Sequence, residues 1–252
     1  MKVLLQYKEA AIAGIATQIF WGVIRILILL AFYRSSNDPQ PITFPEAVSY
    51  IWLSQATFRL VPISVDRDIA SQIRTGTISY ELVRPLDPYY YWFCRTMAGK
   101  LAPTILRFIP VVLVSMLFLG LKAPVSWFAF FSWLLLTFLA LLLSSAITNL
   151  MNISMLWTIA GDGISNLFMS ATYLLSGQMV PLNLFPEFTK KIVLSLPFAG
   201  LVDLPIQFYL GKKTLSSLPG AILFDLMWLA VFIIIGRLIL RAGLKKMVVQ
   251  GG

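Results

Sequence analysis

Trp127-Phe128-Ala129-Phe130-Phe131-Ser132-Trp133-Leu134-Leu135-Leu136-Thr137-Phe138-Leu139-Ala140-Leu141-Leu142-Leu143-Ser144-Ser145-Ala146-Ile147 runs for twenty-one residues without a charge. About 20 apolar residues in a helix cover the roughly 30 Å hydrocarbon core of a bilayer. Weaker runs of similar length flank it, at about 11–32, 44–62, 102–119, 154–175 and 221–240. The sequence therefore predicts an all-α integral membrane protein with six transmembrane helices in one domain, 1–252. Composition agrees: the 252 residues are 58% hydrophobic and 12% charged, against roughly 25% charged in soluble domains.

The net charge is +9, but Lys and Arg gather at the ends of apolar runs rather than along one soluble face. That is the positive-inside pattern, and it argues against nucleic-acid binding. With a cytoplasmic N-terminus, eleven basic residues fall inside, six outside and three (Arg25, Arg59, Arg107) within spans. Both termini are expected in the cytoplasm. There is no His and one cysteine, Cys94, which removes His-based acid–base chemistry, Cys/His metal sites and an intrachain disulfide. Lys8 and Glu9 interrupt the N-terminal run, so a retained first helix is expected rather than a cleaved signal.

The informative places are those where hydrophobicity fails. The second run carries Ser49, Ser54, Gln55, Thr57 and Arg59, too polar to face lipid all round. The block from Tyr89 to Gly120 exceeds one span and holds Pro103 and Pro110. Its aromatic cluster Tyr89-Tyr90-Tyr91-Trp92-Phe93 suits an interfacial stretch, so the span is expected from 102. Thr148-Asn149-Leu150-Met151-Asn152 reads as a link. In the polar loop 64–88, Asp68 as N-cap and Gly76 as the residue after the last turn would frame a two-turn helix. Ile69 and Ile73 share one face, with Arg67, Gln72 and Arg74 polar; a passive surface helix is the plainer reading. After the fifth run, Ser176-Gly177-Gln178-Met179-Val180-Pro181 and Phe185-Pro186-Glu187 suggest broken half-helices over 176–200. Irregular backbone at that depth must be buried in protein or line a cavity.

Two of these segments resemble one family. Gly76-Thr77-Ile78, Glu81-Leu82, Pro85 and Pro88, with Lys100 further on, are similar to the intracellular loop of type-two ABC exporter permeases. Ser176-Gly177…Pro181-Leu182, Phe185-Pro186-Glu187 and Leu196-Pro197 resemble that family's outer segment. Leu82-Val83-Arg84-Pro85 resembles the version found in a bacterial subgroup of ABC permeases. The resemblance implies a cytoplasmic coupling helix at 64–88, with Asp68, Gln72, Arg74, Gly76, Thr77, Glu81, Arg84 and Pro85 at an ATPase contact. It implies an extracellular re-entrant hairpin at 176–200. It further implies two ABC ATPase subunits and a second permease, identical or paralogous, in the inner (plasma) membrane. ATP and Mg would bind the ATPase, with no cofactor on this chain. Gly211-Lys212-Lys213-Thr214 only echoes a P-loop, since Ile206 stands where its first Gly belongs.

Asp162 lies about eight residues into the fifth run, where a carboxylate costs roughly 2.5–3.5 kcal/mol. Arg25 and Arg107 are its candidate partners, in a structural ion pair or a polar lining. Asn166, Met169, Ser170 and Tyr173 follow at helical spacing. With Gln55, Asp162, Pro181 and Pro186, Asn166, Met169 and Tyr173 form the expected pathway or gate. Rival readings are a lipid-modifying membrane enzyme using Asp162, without paired acids to support it, and a stand-alone secondary transporter, without evident inverted repeats.

Overall fold

The computed structural model describes residues 2–36, 39–82, 85–157 and 162–246. Among these the chain is helical, with no strand. Four helices are long and apolar enough to cross a bilayer. They belong to α1 (Lys2–Ser35), α5 (Pro88–Phe118), α6 (Trp127–Ser154) and α10 (Leu218–Lys246). The second and fifth expected spans are shorter helices: α2 (Phe44–Ala56) has 13 residues and α7 (Asp162–Leu175) has 14. At 1.5 Å per residue the described part of each measures about 20 Å, less than a hydrocarbon core.

Helix boundaries also depart from the expected ones. α5 begins at Pro88, so one helix takes in both the expected interfacial stretch and the span expected from 102. Asp87 caps it, its Oδ1 accepting from the Tyr89 and Tyr90 amides at 2.8 and 3.3 Å. A cap followed by Pro at the first position is a strong helix start, and the interior prolines do not end the helix. α6 runs through the expected link to Ser154. Its two asparagines are buried and engaged there: Asn149 Nδ2 donates to the Tyr89 carbonyl at 3.3 Å, and Asn152 Oδ1 accepts from the Asp66 amide at 2.8 Å. α1 and α10 likewise outrun 11–32 and 221–240.

α6 is the central pillar. In its most apolar stretch 61% of residues are buried, against 17% in each of the other three long helices. It packs against α10, α5 and α9 (Asp203–Tyr209), while α1 lies on α2 and α5. The main core joins Tyr50, Trp52, Leu53, Val111, Trp133, Leu143, Ile147 and Ile206. Residues Ala47–Ala56 of α2 are buried on every side, as its Ser and Gln content requires. α1 reaches α2 closely because Gly22 faces the Trp52 ring, where any Cβ would overlap it. The outward faces of the long helices carry Phe20, Ile28, Leu106, Leu117, Phe131, Phe138, Leu223 and Leu238, each at least half exposed. An apolar surface on that scale suits lipid rather than water.

α5 and α6 carry the chain between two ends. One end holds α3 (Arg67–Thr75) and α4 (Ile78–Leu82). The other holds α8 (Glu187–Ser195) and α9.

Candidate functional site: the two ends of the bundle

At the first end the N-cap of α3 is Asp66 rather than Asp68. Its Oδ1 accepts from the amides of Asp68 and Ile69 at 2.9 and 3.3 Å. Asp68 is instead a first-turn carboxylate, where the helix dipole favours negative charge. Gly76 closes α3 in the left-handed region, φ +73°, and the chain turns directly into α4. The inner face of this helical turn is apolar: Ile69 and Ile78 are buried with Tyr89, Trp92, Ile153 and Leu240, and Ile73 packs on them. Its outer face carries exposed Arg74, Thr77 and Pro85, with Gln72 half-buried. Glu81 lies in α4. Its side chain, and all of Arg84, lie outside the described residues.

The turn is clamped to α5. Arg95 Nε donates to Asp66 Oδ2 at 2.8 Å, and Arg95 Nη2 reaches Asp68 Oδ2. Burial alone would raise the Asp66 carboxyl, but the Arg95 hydrogen bond and the two amides outweigh it and hold it below its usual value. α10 is tied in beside it: Arg237 Nη2 pairs with Asp87 Oδ2 at 2.9 Å and its guanidinium sits 4.5 Å from the Tyr90 ring centre.

At the opposite end the segment after α7 folds back on α2. Asp203 is buried and its Oδ1 accepts from the Tyr50 hydroxyl at 2.9 Å, Gln207 Nε2 at 3.1 Å and the Leu182 amide at 3.4 Å. Gly177, φ +84°, packs on the Tyr50 hydroxyl so closely that no side chain fits. Gln178 Nε2 donates to the Ser54 carbonyl at 3.1 Å, and Arg25 Nη1 to the Gln178 carbonyl at 2.6 Å. Ser54 lies eleven residues below the α2 cap at Thr43, so the segment reaches about 16 Å along α2. A cavity of about 580 Å³ opens beside it, bordered by Asn183, Asp203, Gln207 and by Lys190, Lys212 and Lys213. Lys212 is neutralised by Glu46 at 2.8 Å.

The expected pathway residues stand in different settings. Gln55 is buried, with its Nε2 unpartnered among the described residues. Tyr173 is half-buried against the Phe58 ring at 5.9 Å, Met169 is half-buried, and Asn166 and Pro186 are exposed. Pro181 is buried. None of these borders the 580 Å³ cavity. Arg25 is engaged by Gln178, and Arg107 lies against Gly14 of α1; the Asp162 side chain lies outside the described residues. Two carboxylates escaped the sequence reading. Asp203 is signalled by its i, i+4 spacing to Gln207 within an apolar stretch. Asp225 sits four residues into the last run, under the cost already applied to Asp162. It is buried against Gly200, and neither oxygen has a partner among the described residues.

No curated protein and no solved structure matches this chain. A family model described as ABC-2 family transporter protein does match, over residues 19–251. That span is nearly the whole chain, and with four helices of crossing length the chain is a multi-pass membrane permease belonging to the ABC-2 transporter family.

Proposed function

We propose that the chain is half of an ATP-driven exporter, lining one side of a translocation pathway and coupled to separate ATPase subunits. The observation that carries this reading is the α3–Gly76–α4 turn: apolar inside, polar outside, and fastened to a long helix by Arg95. A passive surface cap has no need of the clamp, whereas a docking element must transmit displacement. Asp68, Gln72, Arg74, Gly76, Thr77, Glu81, Arg84 and Pro85 then form the contact with the ATPase, which holds ATP and Mg. Two ATPases and a second permease, identical or paralogous, complete the assembly.

In this reading α2 and α7 complete six crossings with the folded segments next to them. The segment 176–200 enters the membrane and returns at the outer side, supported by its reach to Ser54. Both termini are cytoplasmic and the membrane is the bacterial inner membrane. Gln55, Asp162, Asn166, Met169, Tyr173, Pro181 and Pro186 remain the proposed lining and gate, at a surface completed by the second permease.

Purification in mild detergent tests the assembly: an ATPase subunit should co-purify, and recovery of the permease alone would sink the reading. Arg74→Ala and Glu81→Ala should leave the complex assembled while ATP hydrolysis no longer drives export.

A further inference from the structure

Beside the α3 clamp lies a polar cavity of about 160 Å³, bordered by Arg59, Ser64, Arg95, Gly99, Lys100 and Thr148. Its charges do not balance. Arg95 is taken by Asp66 and Asp68, but Arg59 and Lys100 enter no ion pair among the described residues. Among the described residues Lys100 Nζ donates only to the Leu60 and Val61 carbonyls, at 3.3 and 3.2 Å. Arg59 Nε and Thr148 Oγ1 are buried with no partner among the described residues. Arg59 without a carboxylate, Lys100 met by carbonyls alone, and the idle donors of Arg59 and Thr148 around one space call for an anion. The volume is below the roughly 300 Å³ of ordinary small-molecule pockets, so it suits a single headgroup rather than a nucleotide.

The same elements form a second cavity further along the bundle. It measures about 320 Å³ and is bordered by Leu60, Leu101, Ile105, Phe108, Leu134 and Phe138. Leu60 precedes Val61 of the polar cavity, and Leu101 follows Lys100. From Lys100 to Phe108 the α5 axis rises about 12 Å. Ile105, Leu134 and Phe138 are about half exposed, so this cavity opens on the lipid-facing side.

We infer that the paired cavities bind an anionic phospholipid, its phosphate between Arg59, Lys100 and Thr148 and an acyl chain between α5 and α6. A phosphate oxygen accepts from Arg59 and Lys100 at one end, while the apolar cavity has almost nothing but hydrocarbon to offer at the other. A headgroup alone leaves the second cavity unused, and a neutral lipid leaves the first unbalanced. This inference stands independently of the exporter reading.

The test uses the full chain in mixed micelles holding equal phosphatidylglycerol and phosphatidylcholine, with retained lipid counted by native mass spectrometry. Both lipids offer the phosphate, but phosphatidylcholine adds its own cation beside Arg59 and Lys100, so wild type should retain phosphatidylglycerol with about tenfold preference. Arg59→Gln should bring that preference close to one, Arg59→Lys should restore most of it, and Ile105→Trp should lower retention by filling the apolar cavity. Equal retention of both lipids by wild type overturns the proposal, even should Arg59→Gln fail to fold. So does binding of inorganic phosphate without lipid retention. In a Cys94→Ser background, disulfide-linked pairs formed by Ile105→Cys would put a second copy over the groove and overturn it as well.

Discussion

Tyr50, Gln207 and the Leu182 amide all donate to one oxygen, Asp203 Oδ1, so three segments distant in sequence depend on a single buried acceptor. Tyr50→Phe removes one donor and leaves the others satisfied, a loss of about 1 kcal/mol. Asp203→Leu strands two buried donor side chains and should cost about 2–4 kcal/mol. Thermal unfolding of purified variants checks both, and the double variant should fall well short of the sum. Asp225 is the reverse case, a buried carboxyl with no partner among the described residues. Asp225→Leu should therefore raise the melting midpoint, at about 2–4 °C per kcal/mol; a clear fall would reveal a counter-charge supplied by another subunit. Neither acid drew notice in the sequence because composition shows where a charge lies but not what faces it. Asp162, Arg25 and Arg107 were legible as charges in apolar runs. That Arg25 serves the Gln178 carbonyl depends on a contact 153 residues away.

Elements were read more easily than their limits. The α3 helix, its Gly76 end and its Ile69–Ile73 face follow from local rules, since each depends on residues within one turn. The cap shifted from Asp68 to Asp66, one of two carboxylates in the same stretch, because Asn152 of α6 holds the Asp66 amide and the Asp66 carboxylate meets the first-turn amides. The limit of α6 was misread for a related reason: Asn149 and Asn152 resemble a loop until their partners on Tyr89, Thr96 and Asp66 are known. A carboxyl held below its unfolded value stabilises fully above that value and loses the contribution as pH falls through the folded one. Asp66 is such a group, so α3 docking should be steady from neutral pH to about 4 and weaken below. Hydrogen exchange of the α3 amides across that range should show it, and Asp66→Asn should remove the dependence. Gly76→Val forces a β-branched residue to φ +73°, costing about 1–2 kcal/mol. It should loosen α4 in the same experiment.

For the whole molecule, four long helices make the membrane frame, and the shorter ones fill it from both ends. Hydropathy shows the frame because lipid demands unbroken apolar runs. It does not show how α2 and the segment after α7 lock together, since those contacts are polar and remote in sequence. One feature of the frame has a mechanical side. α5 is 31 residues long, about 46 Å, so roughly a third of it stands clear of a 30 Å hydrocarbon core. The projecting part carries Arg95 and, through it, α3. Pro103 lies just above, where it cannot return a hydrogen bond to the Gly99 carbonyl and so gives the rod a compliant joint. On the coupling proposal a sideways push on α3 would swing the lower rod about that joint, since the upper rod is held by Trp133 and Phe108 stacked at 5.6 Å. Pro103→Ala should stiffen the joint and raise the melting midpoint; on the exporter proposal it should also lower the export achieved per ATP hydrolysed in reconstituted vesicles. The rod would then behave as a strut where the native chain has a crank.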